Sequence, residues 1–214
     1  MKKILVIVPR YLPDTSAGGP IFATKSFTKL LFELGYNVKL LTLNTSNLKN
    51  KFGKIDGVNV VYYKLNKIFN NLSKSGWGFS LDFTFNIVKE IKWCDVIYVR
   101  SFWNYISLIT FILNIFYRKK LIFSVNGKFS KYALKSSSWK KKIAFFFIKP
   151  FLSNYTIQYA SYDEMENVSL NYLRKLKSIV IPNAVIDNKI VLKKQNHSKQ
   201  INFYSVSRID QIKN

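Results

Sequence analysis

Ile4-Leu5-Val6-Ile7-Val8-Pro9, a loop closing on Gly18-Gly19-Pro20, and then Ala23, Phe27, Leu30, Leu31 and Leu34 at helical spacing decide the fold class. The apolar run is unbroken, as it is in a strand buried on both faces. Pro20 suits the first turn of a helix, where its missing N–H costs nothing, and Gly35 suits the stop. Val38 to Leu43 follows as a second strand. Strand, helix, strand in this order is a βαβ unit on a parallel sheet.

The pattern repeats outward. Asp56-Gly57 reads as a turn into a strand over Val58 to Tyr63, and Asn66 to Gly78 as a loop. Phe83 to Ile91 reads as a helix and Asp95 to Arg100 as a strand. The very apolar stretch from Phe102 to Tyr117 is interrupted by Asn104 and Asn114 and falls short of the ~20 residues of a spanning helix. It reads as a buried helix, with a place in a membrane interface as the alternative. Leu121 to Val125 is a strand, Trp139 to Leu152 a helix, and Tyr155 to Tyr159, Ile179 to Ile181 and Ile201 to Ser205 further strands. Asp187 to Gln200 has the composition of a linker. The expected class is α/β, a Rossmann-like parallel sheet flanked by helices.

The 214 residues contain one cysteine, Cys94, and one histidine, His197, which excludes a disulfide framework, a cysteine zinc site and histidine triads. Lys and Arg number 34 against 11 Asp and Glu, a net charge of +23 that favours anionic partners. Only five of those cations are arginine, the residue on which base reading leans. Compositional drift over a solvated surface accounts for the excess equally well. Met1-Lys2-Lys3 and the run after it are too short for a secretory signal, so the expected location is cytoplasmic.

Ligands of parallel sheets sit outside the carboxyl ends of the strands. Gly18 and Gly19 at a helix start suit a phosphate or are a plain turn. Arg100, Trp103 and Asn104 after a strand suit a sugar, or Phe102 and Trp103 are core residues anchoring the next helix. Asn126-Gly127-Lys128 is a third such loop, or a simple turn. Lys140-Lys141-Lys142 either steers the domain to anionic lipid or is a solvated run. Ser161 with Asp163, Glu164 and Glu166 is accounted for by helix capping, and no carboxylate pair stands out as an acid/base couple.

Taken in order, these pieces resemble the retaining glycosyltransferases of family 4, which have two facing Rossmann-like domains (the GT-B fold). The resemblance runs through Ile4 to Pro9, Gly18-Gly19-Pro20, Leu34-Gly35-Tyr36-Asn37-Val38 and Asp95 to Arg100. It continues through Asn126-Gly127 with Ala133-Leu134, Ser161 with Glu164, Ile181-Pro182-Asn183-Ala184-Val185, and Ser205 to Asp210 with Lys213. It implies an N-terminal acceptor-side domain over 1–186, a linker over 187–200, and the start of a donor domain over 201–214 whose remainder is missing, so that this chain alone is expected to be inactive. It implies transfer of a sugar from a nucleotide-sugar donor, with retention, to a lipid-linked or oligosaccharide acceptor in bacterial surface-glycan synthesis. Gly18, Gly19, Arg208 and Lys213 would bind the donor diphosphate. Arg100, Trp103, Asn104, Asn126 and Gly127 would line the acceptor side, with no metal or other cofactor and no nucleic acid. Asn126 stands where many relatives carry His, and Ala184 and Ser207 stand where glycine is usual. Peripheral association with the cytoplasmic face of the membrane is expected. The competing classes are a basic module for nucleic acid or anionic membrane, and one half of a split transferase.

Overall fold

The computed structural model describes residues 1–66, 78–130, 145–146, 149–168 and 171–184. The expectations for most of the loop after Asn66, for Ala133-Leu134, Lys140 to Lys142 and His197, for the linker, and for Ile201 to Ser205 with Arg208 and Lys213 lie outside them.

Among the described residues one sheet of eight strands organises the fold, in the order β3-β4-β2-β1-β5-β6-β7-β8. The strands are β1 (Lys3–Ile7), β2 (Asn37–Leu43), β3 (Phe52–Ile55), β4 (Val58–Tyr63), β5 (Val96–Arg100), β6 (Lys120–Ser124), β7 (Thr156–Tyr159) and β8 (Ser178–Val180). Every pairing is parallel except β3 with β4. The expected α/β Rossmann-like sheet is therefore the architecture found. β3 is an addition to it, an edge strand made by a hairpin at Asp56 and Gly57, both at positive φ as a two-residue hairpin turn demands.

Among the described residues three longer helices cover the faces: α1 (Gly19–Glu33), α2 (Leu81–Trp93) and α3 (Tyr105–Tyr117). One apolar cluster joins Val6, Leu40, Val60 and Tyr98 to Ile21 of α1. The other joins Ile7, Leu41, Ile97 and Phe123 to Phe83 and Ile87 of α2 and Ile106 and Phe111 of α3. Gly35, at φ +82°, ends α1 in a Schellman motif, with Tyr36 N donating to Leu31 O at 3.0 Å and Gly35 N to Phe32 O at 3.0 Å.

Two helices differ from expectation. In α1 the most buried residues are Ile21, Thr24, Ser26 and Thr28, while Leu30 and Leu34 are exposed. The threonines can go inside because their hydroxyls donate to Pro20 O at 2.7 Å and Lys25 O at 3.1 Å. Of the helix expected over Trp139 to Leu152, described residues 145–146 are helical, but Lys149–Asn154 is a 3₁₀ turn. Among the described residues two short helices, α4 (Tyr162–Glu166) and α5 (Asn171–Arg174), lie between β7 and β8 in the chain.

Candidate functional site

β1 has β2 on one side and β5 on the other, so the chain reverses its winding direction between β1 and β5. Loops after these two strands diverge there and leave a crevice at the carboxyl edge. The loop after β1 runs into α1, whose N-cap Gly18 (φ 62°) supplies no side chain to the first-turn amides. A methyl group built on Gly18 or Gly19 would meet nothing within 4 Å. The helix start is thus open to the edge; Pro20 has no N–H and Ile21 N donates to Gly18 O at 3.0 Å, so the Gly19 N–H and the positive dipole end are what suit an anion.

Beside it lies a polar cavity of about 1000 Å³ among the segments that follow β1, β2 and β4, with Arg10, Asp14, Thr45, Lys49 and Lys64 in its wall. Asp14 holds its floor together, accepting from Ser16 N at 2.9 Å and Thr45 Oγ1 at 2.6 Å, with Arg10 Nη1 at 3.8 Å. Burial alone would raise the Asp14 pKa, but the bonds from Ser16 and Thr45 and the Arg10 charge outweigh it and hold the carboxyl below its usual range. Lys51 pairs with Asp82 at 2.6 Å on the far wall. Nothing in the sequence reading pointed to this cavity. The signal was available: in a parallel sheet the segment after every strand ends on the same edge, so Asn44 to Lys49 belonged with the other loops.

Across the crevice, Arg100 at the end of β5 is 4% exposed. Its Nη2 donates to Asn183 Oδ1 at 2.7 Å and Asn126 Oδ1 at 3.4 Å, and its Nε has no partner. No salt bridge among the described residues includes Arg100, and desolvation lowers its pKa. The structure thus brings Arg100 and Asn126 together, as the candidate set had them, and adds Asn183. Glu164 at the start of α4 does more than cap. Its carboxylate accepts from Gly127 N as well as from Ala160 N at 2.6 Å, pinning the loop after β6 to the one after β7.

Trp103 and Asn104 need correction as sugar-facing groups. Trp103 is 8% exposed, packed on Phe102 and Phe129, and its indole N–H donates to Lys128 O at 3.0 Å. Asn104, 1% exposed, is the N-cap of α3, accepting from Ser107 N at 3.0 Å. Both are anchoring residues, because the apolar start of α3 needs a buried cap and a ring to pack against. Arg208 and Lys213 lie outside the described residues. Among the described residues no His/Cys/Asp/Glu cluster could hold a metal ion, and no helix is long and apolar enough to cross a membrane.

No family model matches the chain, and no curated protein matches it. Solved structures do match in fold. Sucrose-phosphate synthase from Thermosynechococcus elongatus superposes with TM-score 0.57 at 12% identity over 85% of this chain and 48% of that one. The E. coli trehalose-6-phosphate synthase with UDP-2-fluoro glucose bound gives TM-score 0.54 at 11% identity over 85% and 49%. The chain spans about half the length of these structures. It shares their α/β Rossmann-like fold, as found in GT-B proteins.

Proposed function

We propose that this chain is the acceptor-side lobe of a GT-B glycosyltransferase that moves a sugar from a nucleotide-sugar donor to a glycan acceptor. One observation carries the reading: an open, glycine-started helix at the winding reversal stands beside a large polar cavity on the same sheet edge. The similar solved structures are glycosyltransferases, which supports the class. Departure of a nucleoside diphosphate builds charge on its phosphates, which the Gly19 N–H and the positive end of α1 would stabilise. Arg208 and Lys213 would add cations to the same diphosphate, and no metal is required. The cavity behind Arg10 and Asp14 would hold the acceptor, with Asn126 and Gly127 on the opposite lip. Arg100 acts there through Asn126 and Asn183, as a positioning residue. Retention of configuration, membership of family 4, a lipid-linked acceptor and a role in bacterial surface glycans complete the proposal.

Gly19 offers the test. A methyl there meets no atom within 4 Å, so Gly19→Ala should fold normally. It would, however, hold a diphosphate off the backbone. In the protein as its organism produces it, kcat/KM for the nucleotide sugar should fall about tenfold or more, which is about 1.4 kcal/mol of transition-state stabilisation. Unchanged kcat/KM in a folded Gly19→Ala protein would contradict the donor assignment.

A further inference from the structure

The wall of the cavity after β1, β2 and β4 has its acceptors committed and cations to spare. Among the described residues four cations, Arg10, Lys49, Lys51 and Lys64, line it against two carboxylates, Asp14 and Asp82. Both carboxylates are engaged within the protein. Asp82 accepts from Lys51 Nζ at 2.6 Å, Asn86 Nδ2 at 3.0 Å and Lys64 N at 3.3 Å. Asp14 is held by Ser16 N, Thr45 Oγ1 and the Arg10 charge. The Asn44 amide is closed on its own loop, accepting from Leu48 N and donating to Leu48 O, each at 2.8 Å.

Lys49 and Lys64 stand apart from this network. Both side chains are exposed at the cavity, and neither takes part in an ion pair among the described residues. Lys49 comes directly after the loop that Asn44 closes, and Asn44 N donates to Tyr63 O at 2.8 Å, next to Lys64. The two segments that carry these lysines are thus fastened side by side. A concave wall with an excess of one sign of charge concentrates its field inside, and an anion is what relieves it.

We propose that the acceptor held in this cavity is an acidic sugar, whose carboxylate or phosphate is met by Lys49 and Lys64. The inference rests on the reading of the cavity as the acceptor site and names the chemical class of what it holds. A neutral sugar would offer hydroxyls to the wall but nothing to offset the two ammonium charges.

Binding of the full chain to three matched sets of sugars tests it, read by ligand-observed NMR: the methyl glycosides of glucose, galactose and mannose, the corresponding uronides, and the corresponding 6-phosphates. In at least one set an acidic member should bind about tenfold or more tightly than its neutral parent, and the acid preferred tells carboxylate from phosphate. Lys49→Gln with Lys64→Gln, at two exposed side chains, should fold normally and bring the acidic sugar to about the affinity of the neutral one. Lys89→Gln with Lys120→Gln removes the same charge from exposed positions outside the cavity wall and should bind as the parent does, which separates the wall from the general field of +23. Circular dichroism and an unchanged thermal transition show that each variant is folded. Equal binding of acidic and neutral members, or a preference that survives in the folded cavity variant, would overturn the inference and leave the cavity as an acceptor site. No binding of any sugar would overturn the acceptor reading and the inference with it. A cavity variant that loses affinity for UDP and keeps it for the acidic sugars would assign the lysines to the donor and overturn the inference.

Discussion

Two carboxylates knit the loops at the carboxyl edge, and each can be removed on its own. Glu164→Ala leaves Gly127 N and Ala160 N without their acceptor. Hydrogen bonds to a charged group contribute about 1.5–3 kcal/mol when sheltered; partial exposure here brings the expected loss, read by denaturant titration, to about 1–2 kcal/mol. Asp14 makes a pH-dependent prediction. Its folded pKa lies below the ordinary 3.8, so its contribution is complete above that value and disappears as pH falls through the lower folded one. The stability gap between the parent and Asp14→Asn should therefore be about 1 kcal/mol at neutral pH and close on acidification below pH 3.8. A gap that widens on acidification would contradict this. Ser161 and Glu164 were legible as a capping pair because their three-residue spacing is local. The bond from Glu164 to Gly127 spans 37 positions, and only the β6–β7 pairing creates it.

At the scale of elements, caps and turns set where the helices begin and where the site opens. Asn104 caps α3 through Ser107 N and also donates to Ser101 O at 3.1 Å, while Ser101 itself holds φ at 79°. Asn104→Ala should destabilise the fold by about 2 kcal/mol, from a lost cap and unpaired buried groups. Asn104→Ser keeps a capping acceptor and buries no charge, so it should lose less; thermal unfolding of the two variants side by side decides. The strands were legible to within a residue or two, since buried parallel strands read as unbroken apolar runs. β3 was not, because Phe52-Gly53-Lys54-Ile55 is an edge strand with only a weak alternation. The burial of α1 was misjudged for a related reason. Its leucines and phenylalanines lie all round the helix, and threonines that satisfy their own hydroxyls took the inner face.

For the whole molecule, the fold and the carboxyl edge that holds the candidate site were readable from the order of strands and helices. The cavity was not, because its wall comes from segments following three strands whose adjacency depends on β2 lying between β1 and β4. Trp103 shows the same limit in reverse: an aromatic ring after a strand reads alike whether it faces a sugar or the core. The central claim is that this edge serves sugar transfer, and the direct measurement is release of nucleoside diphosphate. The protein as its organism makes it would be incubated with a panel of nucleotide sugars, with and without a lipid extract of that organism. The account predicts release from one donor that depends on the extract and falls in Gly19→Ala. No release from any donor, with nucleic acid bound instead and lost steeply on adding salt, would contradict it.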